Sequence, residues 1–402
     1  MFTPAELEKI PLEVQRLVIN LSMHIMEDVI DRINMINSIS RTTDYEIYRL
    51  SQIGLSSETI RKAIQETLKL SDTEIDRIYS EVIQDGYADD ERLYNAVGKS
   101  FIPYTENLPL QQLIDAVRAQ TKLEMQNITQ TMGFAIEMNG KTVFTPIAQY
   151  YQRTMDSAMM DITSGAFDYN STIKKAINEM TKSGVRTIDY ESGWSNRIEV
   201  ATRRAIMTGV TQVTGKINEA NMDALETDYV EVSWHATARI GDGINNHQGW
   251  QGRVYHWNRR NNRKIDEKYP DFIENTGYGE ILGLCGANCY HSFHAFIPGV
   301  STRLYTDTQL EKMNAKENIP VKYNGKEYTK YEATQYQRKL ETLMRKQRED
   351  IYLMKRAKAS EDDIINLKIK YRGTMTQYRN FSKAMKLPVQ EERIFMDGLG
   401  RV

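Results

Sequence analysis

Between Pro11 and Asn37 apolar residues recur at Val14, Leu17, Val18, Leu21, Ile25, Val29, Ile33 and Ile36. Steps of three and four bring them onto one side of a helix, and a stripe that wide is stable only against a partner. The chain is therefore obliged to pack helices together from its first few turns. A second helical stretch follows Ser56-Ser57-Glu58, and Ser71-Asp72-Thr73-Glu74 has the form of a capping box ahead of Ile75, Ile78, Val82 and Ile83. Short helices joined end to end are expected here. Leu108 to Met132 reads as another amphipathic helix, then Met138-Asn139-Gly140-Lys141 and Val143 to Pro146 as a small hairpin or loop. Ile147 to Ile162 is helical, with Tyr150, Tyr151, Met155 and Met159 as core. A further helix begins at Ser171 and ends at Gly184, a left-handed cap.

The period changes after the longest helical pattern of the first half, Asn196 to Thr227. Tyr229-Val230-Glu231-Val232-Ser233-Trp234 alternates, which is a strand; Arg253 to Trp257 and Ser292 to Ile297 are its companions, with Gly and Asn supplying the turns. Beyond Val300, Tyr323-Asn324-Gly325-Lys326 predicts a hairpin, because Asn-Gly suits the positive φ values of a type I′ turn. Two polar helices follow, Tyr331 to Ala357 and Glu361 to Met385. The expected fold is mainly α with a small α+β domain. A helical N-terminal region covers 1–195, a long helix plus a small antiparallel sheet with the Cys/His residues covers 196–330, and a basic helical C-terminal arm covers 331–402.

The chain has 402 residues, of which 40% are hydrophobic and 26% charged, with 9 prolines, a composition that can bury a core in each of two or three domains. The opening Met1-Phe2-Thr3-Pro4 does not read as a secretory leader, and no run approaches the roughly 18 apolar residues that cross a bilayer. Charge is uneven: Arg303 to Val402 holds 22 lysines and arginines against 14 aspartates and glutamates, whereas the preceding chain holds 30 against 40. A basic tail suits nucleic acid or an acidic protein surface, the alternative being a solvated helix face. Arg345, Lys346, Arg348, Lys355 and Arg356 are its densest cations and the candidate nucleic-acid contacts.

Chemistry concentrates between Trp234 and Val300, which holds both cysteines and five of the six histidines. Cys285, Cys289, His291 and His294 fall within ten residues, and Zn²⁺ takes four such ligands in a tetrahedron. If Ser292 to Ile297 is a strand, His294 points away from His291, so His235 or His247 completes the shell instead. The candidate metal set is thus Cys285, Cys289, His291, His235 and His247. The alternative is plain burial of the thiols, with the histidines bonded to backbone; a disulfide in a reducing cytosol is not expected. A catalytic version needs an open zinc position with Asp242 or His247 as base. No phosphate-binding loop and no Gly-x-Ser-x-Gly elbow is present, so no catalytic residues are assigned.

The ordered blocks Trp234-His235-Ala236-x-Ala238-Arg239, Asn246-His247-Gln248-Gly249-Trp250-Gln251-Gly252-Arg253-Val254-Tyr255, Gly283-Leu284-Cys285-Gly286-Ala287-Asn288-Cys289-Tyr290-His291-Ser292-Phe293 and Phe296-Ile297-Pro298-Gly299 resemble the phage minor capsid protein 2 family of tailed bacteriophages. Tyr323 to Tyr328 and Tyr331 to Arg338 fit it as well. The resemblance implies a non-enzymatic virion component made in the host cytoplasm and present in few copies. It would be associated with the portal vertex inside the head, with portal protein, capsid and non-specific double-stranded DNA as partners and no membrane. More distantly it is similar to MuF-like head-morphogenesis proteins; some of those carry a toxin enzyme at the C-terminus, for which no catalytic set is visible here. Functions from other classes are a zinc-dependent nuclease or hydrolase, and an effector ejected with the DNA.

Overall fold

The computed structural model describes the chain except residues 1–2, 37–41, 88–90, 164–167, 190–192, 260–267 and 402. In order the elements are α1 (Pro4–Lys9), α2 (Leu12–Ile36), α3 (Thr42–Tyr87), α4 (Glu91–Ala96), α5 (Leu108–Gln130), β1 (Met132–Met138), β2 (Lys141–Pro146), α6 (Ile147–Thr163), α7 (Tyr169–Ser183), β3 (Arg186–Ile188), β4 (Ser195–Arg197) and α8 (Ile198–Leu225). Then follow β5 (Tyr229–Val232), α9 (His247–Trp250), β6 (Val254–His256), α10 (Phe272–Thr276), β7 (Phe293–Phe296), α11 (Asp307–Glu317), β8 (Val321–Tyr323), β9 (Lys326–Tyr328), α12 (Lys330–Arg356), α13 (Glu361–Ala384) and α14 (Glu392–Phe395). The fold is mainly α with small antiparallel sheets, as the periodicities predict. No helix among the described residues is long and apolar enough to cross a membrane.

The chain divides into two compact units, each assembled from three separated segments. The first comprises Met1–Leu12, Thr73–Glu124 and Arg203–Gln335. Its centre is a three-stranded sheet in the order β6-β5-β7, antiparallel throughout. Val230 and Val232 of β5 are buried with Met222 and Leu225 of α8, Trp250, Tyr255, Phe272, Leu284 and Phe293. Aromatic rings do most of the filling: Phe272 lies 5.1 Å from Phe293 and 5.4 Å from Tyr278, centroid to centroid. Such pairs add to the burial of area itself. α10 is held by Asp271, whose side chain accepts from the Glu274 amide, and stops at Gly277 with φ 60°.

The second unit comprises Glu13–Asp72, Met125–Thr202 and Tyr336–Val402. Its sheet has the order β2-β1-β3-β4, again antiparallel. The β1–β2 hairpin turns through Asn139 (φ 50°) and Gly140 (φ 73°), as an Asn-Gly pair favours, while β3 and β4 are strands that no alternation in the sequence marks. They are three residues each, too short for an alternation to register. Gly133 is required by contact, since a Cβ there would lie 2.3 Å from the Thr145 carbonyl oxygen. Leu340 and Met344 of α12 pack on Tyr378 of α13 and on Ile394.

Two local expectations change. Ser71 to Glu74 does not start a helix but lies inside the 46-residue α3. Ser71 Oγ is buried and caps nothing, while Glu74 turns its carboxylate to Arg77 at 2.9 Å. Local capping chemistry was outweighed by a continuous apolar stripe, Ile75, Ile78, Tyr79 and Val82, all buried. And α7 is capped by Asp168, which accepts from the Ser171 amide at 2.8 Å, so Ser171 sits inside the first turn.

Candidate metal centre

The Cys/His residues converge within the first unit because the end of β5 lies beside the starts of its antiparallel neighbours β6 and β7. The chain leaving β5 carries His235, the short α9 carries His247, and the loop entering β7 carries Cys285, Cys289 and His291. That loop coils tightly. Cys285 (φ 59°) and Asn288 (φ 56°) take left-handed backbone, and a Cβ on Gly283 would lie 2.0 Å from the Gly277 carbonyl oxygen. Arg239 pins it from outside, donating to the Ala287 carbonyl at 2.8 Å and to Asn245 Oδ1 at 2.9 Å.

Three of the five expected ligands meet. Donor atoms of His247, Cys289 and His291 all lie within 4.8 Å of one another, and all three residues are buried. Cys289 Sγ is 3.6 Å from His291 Nδ1. A tetrahedral zinc site places its ligand atoms about 3.3–3.8 Å apart, given bonds of roughly 2.0–2.3 Å, so the triad fits after a small contraction. The donor set, two imidazoles and a thiol, suits a borderline-soft divalent ion. This buried His-Cys-His triad can bind a metal.

The other two expected ligands stand beside it. His235 stacks on His291 with centroids 4.1 Å apart, and its Nδ1 donates to the Ala236 carbonyl at 2.8 Å. Cys285 shares the buried apolar cluster with Cys289, Leu284, Phe293 and Trp250, its thiol directed at the His291 carbonyl at 3.9 Å, but it does not join the three donors that lie within 4.8 Å of one another. His294 faces away from the triad, as the strand argument requires: it is on β7, 3.4 Å from the buried Glu231 carboxylate of β5. Asp242, the base considered for a catalytic version, is exposed and outside the triad.

Burial sets the protonation states. It pushes His247 down to about 4 and holds His235 and His291 below the usual imidazole range, so all three rings are neutral with a lone pair to offer. It also pushes the Cys289 thiol up to about 11, and Cys285 well above its usual value. Neither thiol is a reactive thiolate on its own.

The cations proposed for nucleic acid lie in the second unit, on α12. Arg348 is buried and bidentate to Asp397 at 2.6 and 2.8 Å. Arg345 is buried, donating to the Arg393 carbonyl at 3.0 Å; Lys346 is 2.7 Å from Asp350, and Arg356 grips Asp31 at 2.6 and 3.1 Å. Of the five, Lys355 is the exposed one whose described surroundings place no carboxylate on it. Exposed cations that the sequence reading did not single out line α13: Lys370, Arg372 and Lys383. Their place in one polar helical stretch was visible, but their exposure was not.

Fold and centre together define a mainly helical protein whose small sheet domain carries a sealed Cys/His cluster. The chain belongs to the phage minor capsid protein 2 family, whose model it matches over residues 2–383. It is thus a structural protein of a bacteriophage capsid. It is also similar to a protein described as "Structural protein" from Lactococcus phage LL-H, at 26% identity over 203 residues, which are 47% of this chain and 49% of that relative. The aligned part therefore spans about half of the relative's length. No solved structure matches.

Proposed function

We propose that this protein is a minor component of the head of a tailed phage, stationed inside the head at the portal vertex and acting by binding, without turnover. The observation that carries the structural role is the family match, which covers nearly the whole chain. Its partners are the portal protein and capsid, with non-specific contact to packaged double-stranded DNA through the basic C-terminal segment. The exposed cations of α13 and Lys355 support the DNA contact. Within the first unit, the His247–Cys289–His291 cluster holds Zn²⁺ in a structural capacity, tying α9 to the loop before β7. Its burial favours this over a zinc hydrolase, which must admit substrate.

Quantitative mass spectrometry of purified particles tests the placement. A few to about a dozen copies, counted against portal and major capsid subunits, is the expected result; absence from clean virions removes it. Crosslinks confined to major capsid subunits, with none to portal, would move the protein away from the vertex.

A further inference from the structure

The amide of Gln251 is the least expected member of the centre. We infer that Gln251 is a positioning residue that holds His291 in its metal-binding tautomer, making a three-donor centre of His247 Nδ1, Cys289 Sγ and His291 Nδ1 with Cys285 outside it. This rests on the zinc reading above. It adds which atoms bind the ion and what aims them.

Gln251 belongs to a chain of hydrogen bonds whose ends are backbone groups. A carbonyl only accepts and an amide N–H only donates, so the orientation of each side chain between them is determined. Asn314 Nδ2 donates to the Gln248 carbonyl at 3.0 Å, which leaves Asn314 Oδ1 to accept from Trp234 Nε1 at 3.3 Å and from Gln251 Nε2 at 3.4 Å. The other end of the Gln251 amide is then its oxygen. It accepts from the His235 backbone N–H at 3.0 Å, and it lies 2.9 Å from His291 Nε2. His291 must therefore carry its proton on Nε2. Its lone pair is on Nδ1, the atom that faces Cys289 Sγ.

His247 is set in the same way by a backbone group. Its Nε2 lies 2.8 Å from the Leu282 carbonyl, so Nε2 carries the proton and Nδ1 the lone pair. Both histidines thus show the arrangement of metal-ligating imidazoles, one nitrogen donating to a carbonyl while the other is left for the ion. No fourth His, Cys, Asp or Glu among the described residues brings a donor within the same span of all three. When a divalent ion enters, the Cys289 thiol gives its proton to solvent and the metal–thiolate bond replaces the S–H bond. Two neutral imidazoles and one thiolate leave the centre with a single net positive charge.

The test is a titration of the full-length, metal-stripped protein with Co²⁺, read by absorbance. Wild type is expected to bind one equivalent with a thiolate-to-cobalt charge-transfer band in the near ultraviolet. Cys285→Ser keeps that band and Cys289→Ser loses it. Gln251→Leu weakens cobalt affinity by about 10–100-fold, and Gln251→Glu, which restores an acceptor to His291, returns it to within a few-fold of wild type. If wild type takes up no cobalt, the zinc reading itself fails. If wild type binds but Cys285→Ser loses the band, or Gln251→Leu binds as tightly as wild type, the ligand assignment is overturned and the zinc reading stands. Should Gln251→Leu not fold, Gln251→Glu decides alone: a loss of tenfold or more would overturn the role given to Gln251.

Discussion

Arg348 is the bulkiest side chain that the described residues bury completely, held by Asp397, by the Gly400 carbonyl 2.8 Å from its Nη2 and by the Phe395 ring 4.7 Å from its guanidinium carbon. A buried pair of this kind is costly to break, because the survivor keeps its charge without water. Arg348→Ala is expected to destabilise the second unit by about 3–5 kcal/mol, read as a lower urea midpoint. Arg348→Lys is expected to recover little of it, since an ammonium cannot span both carboxylate oxygens. A midpoint unchanged in Arg348→Ala would mean the pair is solvated. Glu349 makes a second prediction. It shares Arg197 with Glu199, at 2.7 and 2.8 Å, and burial, reinforced by the Glu199 and Asp350 charges against the pull of Arg197, raises it from 4.5 to about 7. Between those values the unfolded chain releases the proton and the folded chain keeps it, so this group makes stability fall as pH rises from about 4.5 to about 7. Glu349→Gln keeps a hydrogen-bond acceptor for Arg197 and is expected to flatten the thermal midpoint against pH across that window; an unaltered profile would exclude Glu349 as its source.

At the scale of elements, the β5 sheet packs against the single aromatic side chain of a helix of five residues. Phe272 of α10 is fully buried, 4.9 Å from Trp257 and 5.1 Å from Phe293. Phe272→Ala is expected to cost about 3–5 kcal/mol and, in hydrogen exchange, to release the β5–β7 amides before those of the β1–β2 hairpin. Equal loss in both sheets would show that the two are one cooperative unit. The alternation of Tyr229 to Trp234 announced β5, and the Asn-Gly pairs announced two hairpins, because these signals are local: a two-residue period and a positive φ belong to a few neighbours. β3 and β4 gave no such signal. They exist because β1 offers an edge for Arg186 and Gly133 to pair across, a partnership between residues 53 positions apart. The Ser71 capping box failed for the complementary reason, a local preference outweighed by the packing of a stripe that continues past it.

For the whole molecule, the uneven charge gives a prediction at its own scale. If the C-terminal segment meets DNA, changing Lys370, Arg372 and Lys383 to Glu is expected to weaken binding to any duplex alike. It should reduce the dependence of log affinity on log salt by about 0.9 for each phosphate contact removed, with thermal stability unchanged. Arg345 and Arg348 would behave oppositely, lowering stability wherever they alter binding, since their charges are spent on the protein's own carboxylates and carbonyls. An unchanged salt slope in the triple variant would remove α13 as the contact. Amino-acid order alone determined the helical content, the β5 sheet and its two flanking strands, the two Asn-Gly turns, and the segment in which a metal would be held. Each follows from periodicity, turn chemistry or ligand type, which are written within a few residues of chain. Only the tertiary structure decided that His247 joins Cys289 and His291 while Cys285 stays outside their span, and that Gln251 turns an oxygen toward His291. It alone showed that most of the densest cations are internal ion-pair partners, and that each unit is gathered from three distant segments. Burial and the direction of a donor atom depend on which surfaces meet, and no local run of residues records that.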